Sequence, residues 1–477
     1  MSGKGPFRTP ARTGRVPRSR KVLVIGLDSA PPKLVFEDYL VSLPHIRRLV
    51  EGGLYGEIES TIPPITIPAW TSFVTSKSPG VLGFFGFRNR KDYSYDEIFI
   101  ANSRSIKEDT LWDILSREGK KVGIIGVPQT YPPKPVNGFM ITSFLTPDTE
   151  SEYTYPPELK GEIEGLVGRY VLDVEDFRTE DKENLLHQIY DMTEKRFKVA
   201  GHFLKETEWD FFMMVEMGPD RIQHGFWKFT DPAHKKYSPG SKYENSIRDY
   251  YVFLDEKIGE LLALAGDDSV VILVSDHGAK KMDGCININD WLVSEGYLVL
   301  RSKPQGLMRL EEAEVDWERT TAWGWGGYYG RIFLNVKGRE KEGLVEPDNY
   351  EATQDEIAGR IRAIRDEAGR QIKSRVFKPQ EVYHGRYVHR APDLIVYFGD
   401  LHWRSTGEIG HASIHSFETE IGPDDAVHDE KGIFVLYDPR KNKKGRVDGL
   451  HLLDGAPTIL SLMGIPILED MEGKVIE

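Results

Sequence analysis

Six short runs of Val, Ile, Leu and aromatic residues punctuate this chain, at residues 22–27, 122–126, 211–215, 270–274, 394–398 and 433–437. Each shows little polar alternation, the pattern of strands covered on both faces. Helix-patterned stretches lie between them, such as 106–119, 183–206 and 242–265. Strands that alternate with helices need crossover connections, so an α/β fold with a doubly wound sheet is expected. Sheets of that kind build their sites in the crevice at the carboxyl ends of the strands. Asp28 ends the first run, Asp220 and His224 follow the third in MGPDRIQHG, and Asp276 and His277 follow the fourth in LVSDHG.

Composition narrows the function classes. With 477 residues, 39% hydrophobic and 29% charged, the chain has the make-up of a globular protein with more than one domain. No apolar run approaches the roughly 20 residues that span a bilayer. The N-terminus lacks a hydrophobic signal region, so a cytoplasmic location is expected. Cys285 is the only cysteine, which fits a reducing compartment. A net charge of −13 argues against general nucleic-acid binding, which relies on basic surfaces. Residues 1–20 form a basic, acid-free segment expected to be a disordered tail. Residues 301–392 carry the aromatic, Gly-rich TTAWGWGGYYGRIF and a charged helix over 351–368, and read as an inserted cap or lid, or else a peripheral hairpin and helix. The catalytic core is then 21–300 with 393–477.

Taken singly, the acidic and imidazole residues have ordinary explanations. Asp28 is either a metal ligand or a turn cap, and Asp220 and His224 share one face if their segment is helical. Adjacent Asp276 and His277 point in different directions from an extended segment and can serve two neighbouring metals. His428, in AVHDEKGIF, supplies an imidazole that the set lacks. Oxygen and imidazole donors without thiolates suit zinc first, with manganese as the alternative. Thr66, in PPITIPAWTSF, lies just before an expected helix start with Pro68 at the first helical position. A hydroxyl there either caps the helix or meets a phosphate at its positive end. Metal coordination could also turn it into a nucleophile.

The ordered fragments GLDS, TIPAWTSFVTSKSPG, MGPDRIQHGFW, SDHG and VHDEKGIF resemble the alkaline phosphatase superfamily, in its type I phosphodiesterase/nucleotide pyrophosphatase branch with related phosphohydrolases and phosphomutases. The resemblance implies an alkaline-phosphatase-like doubly wound mixed sheet flanked by helices. It also implies two divalent metal ions, one held by Asp220, His224 and His428 and the other by Asp28, Asp276 and His277. Thr66 would be the nucleophile between them, touching the metals and forming a phospho-threonine intermediate on a small phosphorylated substrate. That branch carries an Asn in the segment after the nucleophile, where this chain aligns Ala69, followed by Trp70. Trp70, Arg88 and Lys280 are the candidate substrate contacts, with Lys281 and Arg386 as further cations. Trp323, Trp325, Tyr328 and Tyr329 form either a stacking wall or a hydrophobic anchor.

The resulting expectation is a metal-dependent phosphohydrolase cleaving a phosphodiester or phosphomonoester. A phosphomutase or phosphotransferase of the same superfamily is the alternative, and a non-catalytic metal-binding relative a third reading. Sulfatase chemistry is disfavoured, because Cys285 sits in DGCININ rather than in a C/S-x-P-x-R context.

Overall fold

The computed structural model describes residues 20–417 and 421–477. Residues 1–19 of the expected basic tail lie outside the described residues, and Arg20 pairs with Asp438 at 2.9 Å. Five of the six apolar runs assemble into one ten-stranded mixed sheet. Its central order is Leu54–Glu59, Lys431–Tyr437, Val270–Val274, Val22–Leu27, Phe211–Glu216, Val122–Ile125 and Gly138–Ile141. Val22–Leu27 pairs in parallel with Phe211–Glu216 on one side and Val270–Val274 on the other. Lys431–Tyr437 runs antiparallel beside Val270–Val274. These strands are buried along nearly their whole length, as their unbroken apolar sequence requires.

Helices Lys182–Glu206, Gly218–Thr230 and Ser246–Ala265 pack together and against the sheet. Apolar side chains from sheet and helices form one continuous core. Leu111–Arg117 is shorter than the helix expected over 106–119, because Thr110 and Asp113 close a capping box at its start.

The sixth run behaves differently. Leu394–Tyr397 joins Ala322–Trp325, Gly330–Leu334 and Arg375–Phe377 in a separate four-stranded antiparallel sheet. Gly284–Asn287 likewise pairs with Trp403–Thr406 and His415–Ser416 rather than with the main sheet. The expected boundaries at 301 and 392 fall within this second layer, whose strands run from Gly284–Asn287 to His415–Ser416 and which has its own apolar core. The charged helix ends early, as Tyr350–Arg362, buried through Gln354, Ile357, Ala358 and Ile361.

Candidate active site

Chain geometry at the strand ends converges on one point. Asp28 follows Val22–Leu27, and its main-chain N–H bonds to the Glu216 carbonyl of the neighbouring strand at 2.9 Å. Asp276 and His277 leave Val270–Val274, and the Ser29 N–H donates to Asp276 Oδ1 at 3.1 Å. Asp220 and His224 lie one turn apart on helix Gly218–Thr230, whose start follows Phe211–Glu216 directly. His428 sits in strand Ala426–Asp429, opposite Ala279 of Gly278–Lys281. Thr66 opens helix Thr66–Thr75, with Ile65 as its N-cap. Pro68 is thus the third helical residue rather than the first, and the hydroxyl belongs to the helix's first turn.

These side chains are all buried and mutually close. Thr66 Oγ1 lies 3.3 Å from His277 Nε2. Ligand atoms of Asp28, Asp276 and His277 fall within 4.8 Å of one another, as do those of Asp220, His277 and His428. His224 Nε2 stands 3.2 Å from Asp220 Oδ1. The geometry thus brings together every expected ligand but divides them differently, because His277 belongs to both groups. Ring stacking explains the sharing: His277 and His428 lie 3.9 Å apart and nearly parallel, and Tyr328 stacks on His428 at 4.0 Å.

Three carboxylate oxygens, Asp28 Oδ1, Asp220 Oδ1 and Asp276 Oδ2, are buried with imidazole Nε2 atoms beside them, at 3.2 Å for Asp220 and Asp276 and 3.9 Å for Asp28. Unpaired carboxylate oxygens in a dry interior are costly unless a cation neutralises them. Burial, and then the Asp220 charge, push Asp28 up to about 8. Burial and the Asp28 charge raise Asp276 well above the carboxylate range. Burial opposes ionisation of Asp220, but His224 and Arg221 hold it well below its usual value. Burial pulls His277 down to about 4 and His428 well below the ordinary imidazole value, leaving both neutral with a lone pair to offer. Oxygen and imidazole donors of this kind fit divalent ions.

Supporting residues orient the donors. Trp70 Nε1 donates to Asp28 Oδ2 at 2.8 Å. The indole is wholly buried, so Trp70 is corrected from a substrate contact to a support for Asp28. Gly26 makes room for it, since a Cβ there would sit 2.5 Å from the indole ring. His428 Nδ1 donates to the Pro64 carbonyl at 2.7 Å and His277 Nδ1 to the Gly278 carbonyl at 3.0 Å, leaving each Nε2 for a ligand. Thr71, the rival hydroxyl, gives its proton to the Ile67 carbonyl at 2.7 Å inside the helix.

A cavity of about 380 Å³ opens beside Thr66, Asp220 and His428. Its walls include Arg88, Tyr328 and Tyr329, with Phe87, Phe144 and Phe177. The loop joining Ala322–Trp325 to Gly330–Leu334 thus forms one side, the part of the inserted segment that reaches the site. Trp323 is fully buried in the second core and Trp325 packs there too, so neither joins the wall. Ala69 is buried in the helix and absent from the cavity lining; the next lining residues after Thr66 in the chain are Gly86, Phe87 and Arg88. Lys280 is also corrected: its Nζ pairs with Asp429 at 3.0 Å and lines a separate cavity with Lys33 and His402. Lys281 pairs with Asp283, and Arg386 with Glu108.

Residues that the motifs did not single out complete the site. Asp424 accepts from His224 Nδ1 at 2.7 Å, from Arg178 Nε at 3.0 Å and from Arg404 Nη1 at 2.6 Å. Arg178 also donates to the Tyr328 hydroxyl. Arg221 grips Asp173 through two bonds and reaches Asp220. The acidic pair four and three residues before His428, in GPDDAVH, was the available sequence signal for Asp424.

The model of the family "Type I phosphodiesterase / nucleotide pyrophosphatase" matches residues 22–426. No curated protein sequence matches the chain. Human ectonucleotide pyrophosphatase/phosphodiesterase 5 is similar in structure, with a TM-score of 0.57 at 14% identity, covering 95% of this chain and 97% of that one. The murine counterpart, in an inactive Thr-to-Ala form in complex with AMP, has a TM-score of 0.56 at 14% identity, covering 94% and 96%. Among the described residues no helix is long and apolar enough to cross a membrane.

Proposed function

Because the chain belongs to the type I phosphodiesterase/nucleotide pyrophosphatase family and is a phosphoric ester hydrolase, we propose that it cleaves its phosphoester with two divalent metal ions and a Thr66 nucleophile. The observation that carries this reading is the clustering of buried ligand atoms of Asp28, Asp220, Asp276, His277 and His428, with the Thr66 hydroxyl 3.3 Å from His277 Nε2. Asp28, Asp276 and His277 would hold one ion, and Asp220, His224 and His428 the other, with His277 close to both. When bound, such ions act as Lewis acids that stabilise the attacking and leaving oxygens and favour the ionised hydroxyl. Zinc is the proposed metal and manganese the alternative.

The chain's own groups do the rest. Thr66 Oγ1, its proton given up to solvent, attacks phosphorus; an O–P bond forms as the ester O–P bond breaks, and the alcohol leaves with a proton taken from solvent. Water then cleaves the phospho-threonine and restores the hydroxyl. Helix Thr66–Thr75 turns its positive end toward the phosphoryl oxygens. The aromatic walls suit a nucleotide-type ester, in keeping with the family and with the AMP complex of the murine relative. The lone, buried Cys285 fits a cytoplasmic setting.

The test compares wild type and Thr66→Ala, both loaded with zinc or manganese, on bis-p-nitrophenyl phosphate and p-nitrophenyl phosphate. Wild type should turn over at least one ester, Thr66→Ala neither, and acid-quenched wild type should carry, on the peptide containing Thr66, phosphate from the monoester or p-nitrophenyl phosphate from the bis-ester. Turnover retained by Thr66→Ala would remove the nucleophile assignment.

A further inference from the structure

Five arginines line the cavity beside Thr66: Arg88, Arg178, Arg221, Arg331 and Arg404. Three have acidic partners. Arg178 and Arg404 pair with Asp424, and Arg221 with Asp173 and Asp220. Among the described residues no carboxylate pairs with Arg88 or Arg331. Arg331 donates only to main-chain carbonyls, of Arg88 at 2.9 Å and Gly326 at 2.6 Å. Its Nε is buried without an acceptor.

The surroundings hold Arg331 in place. Its guanidinium lies 5.3 Å from the Trp325 ring and 5.5 Å from that of Tyr329. Tyr329 donates to the Phe85 carbonyl at 2.6 Å, which ties the hairpin loop to the segment carrying Arg88. Arg88 begins the short strand Arg88–Arg90, whose partner is Ile98–Ile100. Arg331 is thus held beside the exposed Arg88, and two neighbouring cations with no acid between them are a poor arrangement for the empty protein. Guanidinium groups in pairs match the planar or tetrahedral oxygens of a carboxylate or phosphate.

We infer that Arg88 and Arg331 bind a second anionic group, a carboxylate or phosphate, carried on the organic part of a substrate whose reacting phosphoryl group sits at Thr66. This rests on the proposed role of Thr66 and narrows the substrate class: an ester whose body lies against the aromatic walls and ends in a further negative charge. A cavity of about 380 Å³ is of a size that takes a small molecule with both groups.

The test measures binding, so that it does not depend on turnover. Zinc-loaded Thr66→Ala is titrated calorimetrically with phenyl phosphate and with 4-carboxyphenyl phosphate. The carboxylated ligand should bind about ten-fold more tightly, equal to ~1.4 kcal/mol. Adding Arg331→Gln or Arg88→Gln should collapse that ratio toward one. Arg88 is exposed, so its variant keeps the test alive if the Arg331 variant misfolds. Equal affinities in Thr66→Ala, including no measurable binding of either ligand, overturn the inference, as does a ratio that survives both arginine substitutions. If wild type hydrolyses no phosphoester while the arginine-dependent ratio persists, the hydrolase reading falls and the anion site stands.

Discussion

The carboxylate of Asp424 accepts the Nδ1–H of His224 at 2.7 Å, which turns His224 Nε2 toward Asp220 and the centre of the site. Arg178 and Arg404 hold the same carboxylate from its other oxygen. Against burial, the charges of His224, Arg178 and Arg404 keep Asp424 ionised, far below the usual carboxylate range. A carboxylate behind a ligating imidazole fixes its tautomer and raises its donor strength.

Asp424→Asn should therefore weaken binding of the ion that His224 would hold by about 10–100-fold, the usual effect of losing such a partner. Competition with a chromophoric zinc chelator measures it. Unchanged affinity would make Asp424 a purely structural counter-ion for the two arginines.

Trp70→Phe keeps most of the buried ring but deletes the N–H that holds Asp28 Oδ2. Hydrogen bonds to charged groups contribute about 1.5–3 kcal/mol, so metal affinity should fall. Gly26→Ala should act through the same indole, since the new methyl would crowd it. Overpacking of this kind costs about 1–3 kcal/mol of stability. Chemical denaturation separates the two: Gly26→Ala should lower the midpoint with and without metal, Trp70→Phe mainly with it.

Asp28→Asn should have opposite effects in two states. In chelator-treated protein it removes one of three crowded, buried carboxylates, so the thermal midpoint should rise. In metal-loaded protein it deletes a ligand, so the midpoint gained on adding zinc or manganese should shrink. A fall in both states would contradict the crowded-charge reading of the site.

His234 offers a pH test away from the metals. Its Nε2 donates to the Asp425 carbonyl at 3.1 Å and its Nδ1 accepts from the Lys236 N–H at 3.0 Å, so the folded protein needs the neutral ring. Burial pulls its pKa down from the ordinary 6.5 to about 4. The unfolded chain therefore takes up a proton between those values while the folded one does not. The stability present above pH 6.5 is lost as pH falls toward 4. The thermal midpoint should drop less over that interval in His234→Gln than in wild type.

Much of this was legible in the sequence because buried strands and their polar ends are written locally. Val22–Leu27, Phe211–Glu216 and Val270–Val274 read as strands, and Asp28, Asp276 and His277 stand where those strands stop. Partner choice is not written locally. The run at 394–398 has the same apolar character, yet it pairs with the hairpin Ala322–Trp325/Gly330–Leu334 through long-range contacts that no period reveals. Trp70 and Asp424 were hidden for a related reason. Each acts through a partner distant in the chain, Asp28 and His224 respectively. Lys280 had a suitable charge near a ligand motif, but alternation along Gly278–Lys281 turns it to the far side of the strand pair from the Thr66 cavity.

The two jobs of the site hang from different parts of the fold. The proposed ligands follow strands of the main sheet or sit in the strand pair beside it, whereas Gly326, Tyr328 and Tyr329 belong to a loop of the second sheet and Arg331 to the strand that follows that loop. Lengthening or rewriting that one loop would change what fits against Thr66 without disturbing a single strand that carries a ligand. A fold divided in this way can explore new substrates cheaply, exchanging one wall while its catalytic machinery is inherited intact.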